Sequence, residues 1–199
     1  ARVVNVEARQ LELVEELADN VELPVQVTIA SGFPKGDKLE FITQKVTELG
    51  ASQIWAFPAD WSVAKWDGKK LGKKVEKLEK IALGAAEQSK RNLVPSIILF
   101  EKKADFLAQL EQFDRIVVAY EESAKEGEAT ALLQSLTGLE AGSKLLFIFG
   151  PEGGLSPAEI ESFTAKGAVL AGLGPRILRA ETAPLYALSA VSVVTELMN

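Results

Sequence analysis

Short apolar segments alternate along the chain with longer segments in which apolar residues recur every three or four positions. The β-branched segment 25–29 and the apolar run Leu145–Phe149 predict strands, the second of them buried on both faces of a parallel sheet. Between these strands, Leu39, Ile42 and Val46 fall on one face of a helix. Because strands alternate with helices, we predict an α/β fold with a mostly parallel sheet flanked by helices.

The same pattern predicts the remaining elements and the start of two helices. Further strands are predicted at 54–57, 96–100, 116–120 and near 169, and further helices at 71–91, 106–113, 129–136, 157–166 and 181–198. Asp37 is followed three residues later by Glu40, which is the spacing of a capping box. Ser156 and Glu159 repeat that spacing. We therefore expect helices to begin directly after Asp37 and Ser156.

The first 23 residues differ from the rest of the chain. They hold two short apolar pieces, Val3–Val6 and Leu11–Leu17, and no signal for the start of a helix. We interpret residues 1–23 as the C-terminal part of a truncated small β domain and residues 24–199 as the main domain. An unstructured leader is the alternative interpretation.

Composition restricts the chemistry that the chain can perform. There is no cysteine and no histidine, which excludes disulfides, zinc sites with thiolate or imidazole ligands, cysteine nucleophiles and histidine-based triads. No apolar run reaches the roughly 20 residues of a membrane span, and we expect no signal peptide. We expect a cytoplasmic protein with no metal site and no membrane contact.

The balance of charge weighs mildly against a nucleic-acid partner. Lys and Arg number 22 and Asp and Glu number 28, so the net charge is −6. Phosphate contact depends on a local patch, however, and the segment Lys65–Lys80 contains seven lysines. A solvated helix face explains this segment equally well. It is nevertheless the best candidate for phosphate contact in the sequence.

Two loop motifs carry the most unusual residues. GPEGG (150–154) follows the apolar strand at the position where open α/β sheets bind ligands, and its spacing fits neither the dinucleotide nor the P-loop motif. LGPRILRAETA (173–183) places two arginines three residues apart before the last helix. A plain turn and a helix start with solvated arginines are the structural alternatives. A third polar segment, EQSKR (87–91), ends a long helix, where the helix dipole also favours basic residues.

Taken together, these motifs resemble the RsmE family of ribosomal RNA methyltransferases. The resemblance rests on GPEGG and LGPRILRAETA with a Ser-capped helix between them. Further segments support it and follow one another along the chain in the order expected for the family. They are PKGDKLE (34–40), QKVTELG (44–50), SVAK (62–65) and AAEQSKR (85–91) followed by Pro95. It covers about residues 25–197, which is nearly the whole chain.

The resemblance implies a SPOUT-type fold with a C-terminal trefoil knot, a homodimer, and an N-terminal PUA-like β domain of which residues 1–23 would be the remnant. It also implies transfer of a methyl group from S-adenosylmethionine to N3 of a uridine in 16S ribosomal RNA, with the assembled small subunit as the expected partner.

Carried onto this sequence, the resemblance assigns roles to individual residues. The cofactor would be held by Tyr120, Glu121, Gly150, Pro151, Glu152, Gly153, Gly154, Leu173, Gly174, Ile177 and Leu178. The catalytic candidates are Arg179, Arg91, Glu181 and Glu152, with the arginines on the uracil oxygens and the glutamates orienting them or accepting the N3 proton through water. The RNA-binding candidates are Lys65, Lys69, Lys70, Lys73, Arg91 and Arg176.

Three other functions remain open at this point. A SPOUT methyltransferase with another RNA target would keep the cofactor pocket and change the substrate. A non-catalytic RNA-binding module of ribosome assembly would bind RNA without the cofactor. A hydrolase that uses Glu152 or Glu181 would act without S-adenosylmethionine.

Overall fold

A six-stranded parallel sheet forms the centre of the protein. The computed structural model describes residues 2–15, 20–120 and 131–198. The strands of the sheet are β3 (Gln26–Gly32), β4 (Gln53–Phe57), β5 (Ser96–Leu99), β6 (Arg115–Ala119), β7 (Lys144–Phe149) and β8 (Val169–Ala171). Their order is β5-β4-β3-β7-β6-β8, and every neighbouring pair is parallel. The predicted α/β fold with a mostly parallel sheet is confirmed.

Helices cover both faces of this sheet. They are α1 (Lys38–Glu48), α2 (Gly68–Gln88), α3 (Lys103–Ala108), α4 (Ala131–Leu136), α5 (Pro157–Ala165) and α6 (Ala183–Ser192), with a 3-10 turn at Leu110–Gln112 and a π-helical turn at Val193–Leu197. The predicted face of α1 is buried against the sheet and against α2 and α6. The opposite face of the sheet carries an aromatic cluster in which Phe57 and Phe106 stack with their ring centroids 4.2 Å apart.

Several predicted boundaries are corrected. β3 extends to Gly32 rather than ending at residue 29, and α2 begins three residues earlier than expected because the Asp67 side chain accepts a hydrogen bond from the Lys70 N–H at 2.9 Å. The last helix is not continuous from 181 to 198: α6 covers 183–192, and the π-helical turn follows it.

The two capping boxes have opposite outcomes. The Ser156 side chain accepts from the Glu159 N–H while the Glu159 carboxylate accepts from the Ser156 N–H, so this box is confirmed. The Asp37 side chain makes no cap hydrogen bond, so the box predicted there is wrong. Glu40 instead pairs with Lys77 of α2 at 2.6 Å.

The N-terminal segment forms a separate two-stranded sheet. Strands β1 (Arg2–Asn5) and β2 (Gln10–Glu12) pair antiparallel, and every described residue from 2 to 15 is exposed. An isolated strand pair buries too little to be stable alone. The assignment of residues 1–23 to a truncated β domain stays a prediction.

The chain crosses the sheet once more before its last helix. β8 lies at the edge of the sheet beside β6, whereas α6 packs on β7 and α1, nearer the centre. Residues 172–182 therefore run back across the carboxyl ends of β6 and β7. None of the helices in the described parts of the chain is long and apolar enough to span a membrane.

Candidate functional site

A cavity of about 770 Å³ lies at the carboxyl edge of the sheet. It is lined by the ends of β6 and β7 and by the two motif loops, 150–155 and 173–180. Lys38 from α1 and Trp61 from the segment between β4 and α2 complete its lining. Parallel sheets bind ligands at this edge, where the connections from strand to helix diverge.

The sequence of the first loop fits its tight turn. The Gly154 N–H donates to the Pro151 carbonyl at 2.9 Å, and Gly154 has a φ of +78°, which L side chains rarely adopt. A Cβ atom on Gly150 would lie 2.7 Å from the Gly154 carbonyl carbon, so only glycine fits at this position. The backbone of this loop can therefore approach a ligand closely.

The second loop places two cations at the cavity. The Arg179 carbonyl accepts from the N–H groups of Thr182 and Ala183 at 2.9 and 3.0 Å, which fixes the turn into α6. The side chains of Arg176 and Arg179 are exposed, and neither has an ion pair with any residue that the structure describes. Both guanidinium groups can therefore bind an anionic or oxygen-rich ligand.

One lysine joins the two loops. The Lys38 Nζ lies 2.8 Å from Glu152 Oε1 in the first loop and 3.3 Å from Glu181 Oε2 at the end of the second. The Glu152 carboxylate raises the pKa of Lys38 against the opposing effect of burial, and the Glu181 carboxylate raises it further. The Lys35 N–H donates to Glu152 Oε1 at 3.1 Å. Lys38 therefore stays charged and holds both loops to the start of α1.

A partly buried network of polar side chains fixes the segment after β4. The Ser156 hydroxyl donates to Asp60 Oδ2 at 2.6 Å, and the buried carboxylate of Glu159 accepts from the Asp60 N–H at 2.9 Å. Lys103 pairs with both carboxylates. The Lys103 ammonium and then the Ser156 hydroxyl lower the pKa of Asp60. This network ties the residue next to Trp61 to the start of α5.

The structure brings most of the predicted cofactor and catalytic residues together. The cavity is lined by Tyr120, Gly150, Pro151, Glu152, Gly153, Gly154, Leu173, Gly174, Arg176, Ile177, Leu178 and Arg179. Glu181 reaches this group through Lys38. Glu121, the other cofactor-binding prediction at the end of β6, lies outside the described residues. Sequence reasoning missed Lys38 and Trp61, although Lys38 stands within the quoted PKGDKLE motif.

Arg91 lies elsewhere, which corrects its expected place beside the other catalytic candidates. Its side chain is 3% exposed at the opposite edge of the sheet, where it pairs with Glu22 and donates to the carbonyls of Thr47 and Ala51 at 2.9 and 2.8 Å. Arg91 therefore supports the packing of these segments and reaches neither the cavity nor a surface for RNA.

The predicted phosphate-binding lysines lie near the start of α2. Lys65, Lys69, Lys70 and Lys73 are exposed and have no ion pair with the described residues. Because α2 follows the parallel strand β4, it starts at the carboxyl edge of the sheet, the same edge as the cavity. Lys74 is different, since its Nζ lies 4.4 Å above the Trp66 ring.

Comparison with known proteins gives consistent matches over this domain. The model of the RNA methyltransferase domain family matches residues 21–192. Ribosomal RNA small subunit methyltransferase E of Bacillus subtilis (strain 168) is 54% identical over 187 residues, which are 94% of this chain and 73% of the relative. A crystal structure described as that of a hypothetical protein has a TM-score of 0.85 at 50% identity and covers 94% of this chain and 73% of that chain.

A further solved structure has a ligand. Ribosomal RNA small subunit methyltransferase E from Neisseria gonorrhoeae, bound to S-adenosyl methionine, has a TM-score of 0.74 at 27% identity, over 89% of this chain and 70% of that chain. The fold and the matched region thus define an RNA methyltransferase domain. Within that class, the chain belongs to the ribosomal RNA small subunit methyltransferase E family, as the resemblance of its loop motifs predicted.

Proposed function

We propose that this chain transfers a methyl group from S-adenosylmethionine to N3 of a uridine in 16S ribosomal RNA of the small ribosomal subunit. The observation that carries the proposal is the cavity at the carboxyl edge of the sheet, where both family motifs meet. Its volume of about 770 Å³ lies within the range of roughly 300–1,000 Å³ typical of small-molecule sites. The family and the ligand of the Neisseria relative support the choice of cofactor.

The residues around the cavity fit such a cofactor. The glycines of the first loop expose backbone groups, and Leu173, Ile177 and Leu178 supply apolar contacts from the second loop. Tyr120 lines the cavity at the end of β6. These residues would hold the cofactor, and Glu121 remains a candidate beside Tyr120. The bound cofactor would supply an activated methyl group, and the protein would place the acceptor nitrogen in line with it.

Arg179 is the proposed catalytic residue. Uracil N3 must lose a proton before it is methylated, so negative charge develops on the uracil oxygens. The exposed guanidinium of Arg179 at the cavity can stabilise that charge. Glu152 and Glu181 both lie beside Lys38 at the cavity, and we propose that one of them accepts the N3 proton through water. Arg176 and the four exposed lysines would bind RNA phosphates.

We also propose the finer features of the fold that the family resemblance implies. The return of residues 172–182 across β6 and β7, beside the loop that follows β7, supports a SPOUT-type trefoil knot. We further propose that the protein forms a homodimer and is cytoplasmic. Residues 1–23 would be the remnant of a PUA-like domain.

The first test is calorimetric titration with S-adenosylmethionine, followed by methylation of small subunits that lack the modification. We expect binding in the micromolar range and 3-methyluridine as the only new nucleoside. Leu178→Asp should abolish both, whereas Leu133→Asp, an exposed leucine of α4 outside the cavity lining, should leave both intact. Another methylated nucleoside would indicate a different RNA target, and RNA binding without cofactor binding would favour a non-catalytic module.

A further inference from the structure

Trp61 is an exposed aromatic side chain at the mouth of the cavity. Its exposed fraction is 49%, whereas Trp55 and Trp66 are 2% and 9% exposed. It lies against the first motif loop: a Cβ atom on Gly153 would be 3.1 Å from the Trp61 Cβ, and one on Gly154 would be 4.0 Å from the Trp61 ring carbon Cζ3. One part of the indole thus packs on the loop, and the rest is open to solvent.

The backbone on both sides of Trp61 is fixed. Asp60 is bound by Ser156, Glu159 and Lys103, as described above. The Ser62 N–H donates to the Ala59 carbonyl at 2.9 Å, and Trp66 stacks on Phe33 with ring centroids 4.3 Å apart. An aromatic side chain presented by a rigid segment loses little conformational entropy when a ligand stacks on it.

The position of Trp61 relative to the sheet indicates which ligand it contacts. The loops that would hold the cofactor follow β7 and β8, whereas Trp61 follows β4, on the other side of β3 in the sheet order. The same segment continues into Lys65 and the exposed lysines at the start of α2. Trp61 therefore lies between the cavity and the surface proposed to bind RNA phosphates, where a base that leaves its stack would enter.

We infer that Trp61 stacks on the target uracil and thereby determines the affinity for the RNA substrate. This inference rests on the proposed function and adds a base-binding residue to it. Aromatic side chains are the usual platforms for unstacked bases, because every base has a flat π-face. The half-exposed indole can offer that face while its other edge stays on the loop.

Steady-state kinetics with small subunits and S-adenosylmethionine test the inference. Trp61→Ala should raise the KM for the RNA about tenfold or more, in line with the loss of one base–aromatic stack. It should leave the Kd for S-adenosylmethionine within about twofold of its original value. Trp61→Phe should restore most of the RNA affinity. Val63→Ala, at an exposed apolar residue of the same segment outside the cavity lining, is the matched control and should behave as the unsubstituted chain.

Two results would overturn the inference while the proposed function stood. The first is an unchanged KM for the RNA in Trp61→Ala. The second is weaker binding of the cofactor, rather than of the RNA, in the same variant. If the unsubstituted chain transferred no methyl group, the proposed function itself would fail. Acrylamide quenching then decides the inference, because Trp61 is the exposed tryptophan: protection of its emission by oligouridylate supports stacking, and unchanged quenching refutes it.

Discussion

Lys38 joins two loops that are distant in sequence, and this contact gives the first prediction at the scale of the residue. Without its ammonium group, the Glu152 and Glu181 carboxylates would repel each other and the loops would separate. We expect Lys38→Met to weaken binding of S-adenosylmethionine about tenfold, a moderate effect for a partly buried ion pair. Calorimetry measures it. Lys45→Met, which removes an ion pair with Glu48 on the same helix, should leave the Kd unchanged; equal losses in both variants would contradict this role.

The pH dependence of the same ion pair gives the second prediction. Burial opposes ionisation of Glu152, but the Lys38 ammonium and the Lys35 N–H outweigh it and lower the pKa of Glu152 from its ordinary 4.5. The stabilisation is therefore present above pH 4.5 and is lost as the pH falls through the lower folded value. The pKa of Lys38 is raised above 10.5, so its contribution is lost only as the pH rises through that higher value.

Thermal unfolding of the unsubstituted chain and of Lys38→Met from pH 3 to 9 checks this behaviour. The difference in Tm between them should be constant from about pH 5 to 9 and should shrink towards pH 3. A difference that grew as the pH fell would show that Lys38 acts through another group.

Arg91 gives the prediction at the scale of the element. It connects the end of α2 to the end of α1, to the turn before β4 and to Glu22. Removing one partner of a buried ion pair leaves the other uncompensated and typically costs about 3–5 kcal/mol. We expect Arg91→Met to lower the free energy of unfolding in urea by about 3 kcal/mol while the folded protein still binds S-adenosylmethionine. Lys80→Met, at an exposed cation of α2, should change stability little. An Arg91→Met protein of full stability but without activity would restore a catalytic role.

The limits of sequence reasoning are visible in the same elements. The box at Ser156 and Glu159 could be predicted because both hydrogen bonds are local. The identical spacing at Asp37 and Glu40 predicted a capping box that does not form, because Glu40 pairs with Lys77, which is 37 residues away. Arg91 was misplaced for the same reason, since its partners lie 40, 44 and 69 residues away. Local patterns do not contain such contacts, and the roles of Lys38 and Trp61 were hidden in the same way.

At the scale of the whole molecule, the pattern predicted strands and helices but not their arrangement. The central pairing joins β3 to β7, whose residues are more than 100 positions apart, and no periodicity specifies it. The motifs succeeded where the pattern could not, because glycines and arginines concentrated in two loops mark a site independently of the strand order. The α/β fold and most of the cavity lining were therefore predictable from pattern and motifs, whereas the hydrophobic pattern gave no sign of the crossing of residues 172–182.

The last prediction concerns the surface formed by α1, α6 and the π-helical turn. α1 packs beside α6, and Phe41, Val193 and Leu197 on these elements are 44%, 44% and 75% exposed. Exposed apolar residues that form a contiguous patch indicate an association surface. We expect these three to form such a patch and a second copy of this chain to cover it. Sedimentation equilibrium should then give twice the chain mass of 21.5 kDa. Phe41→Asp combined with Leu197→Asp should reduce it to the single mass, because each buried carboxylate would lack a partner.

Leu133→Asp, at an exposed leucine on α4, is the control for that experiment and should not change the mass. Because α6 directly follows the loop that contains Arg179, we expect the monomeric variant to bind S-adenosylmethionine more weakly than the dimer does. Association would then support the second motif loop from outside the chain, as Lys38 supports it from within. A double variant that kept the dimer mass would exclude this surface. A monomeric variant with undiminished affinity for S-adenosylmethionine would show that association does not contribute to cofactor binding in the cavity.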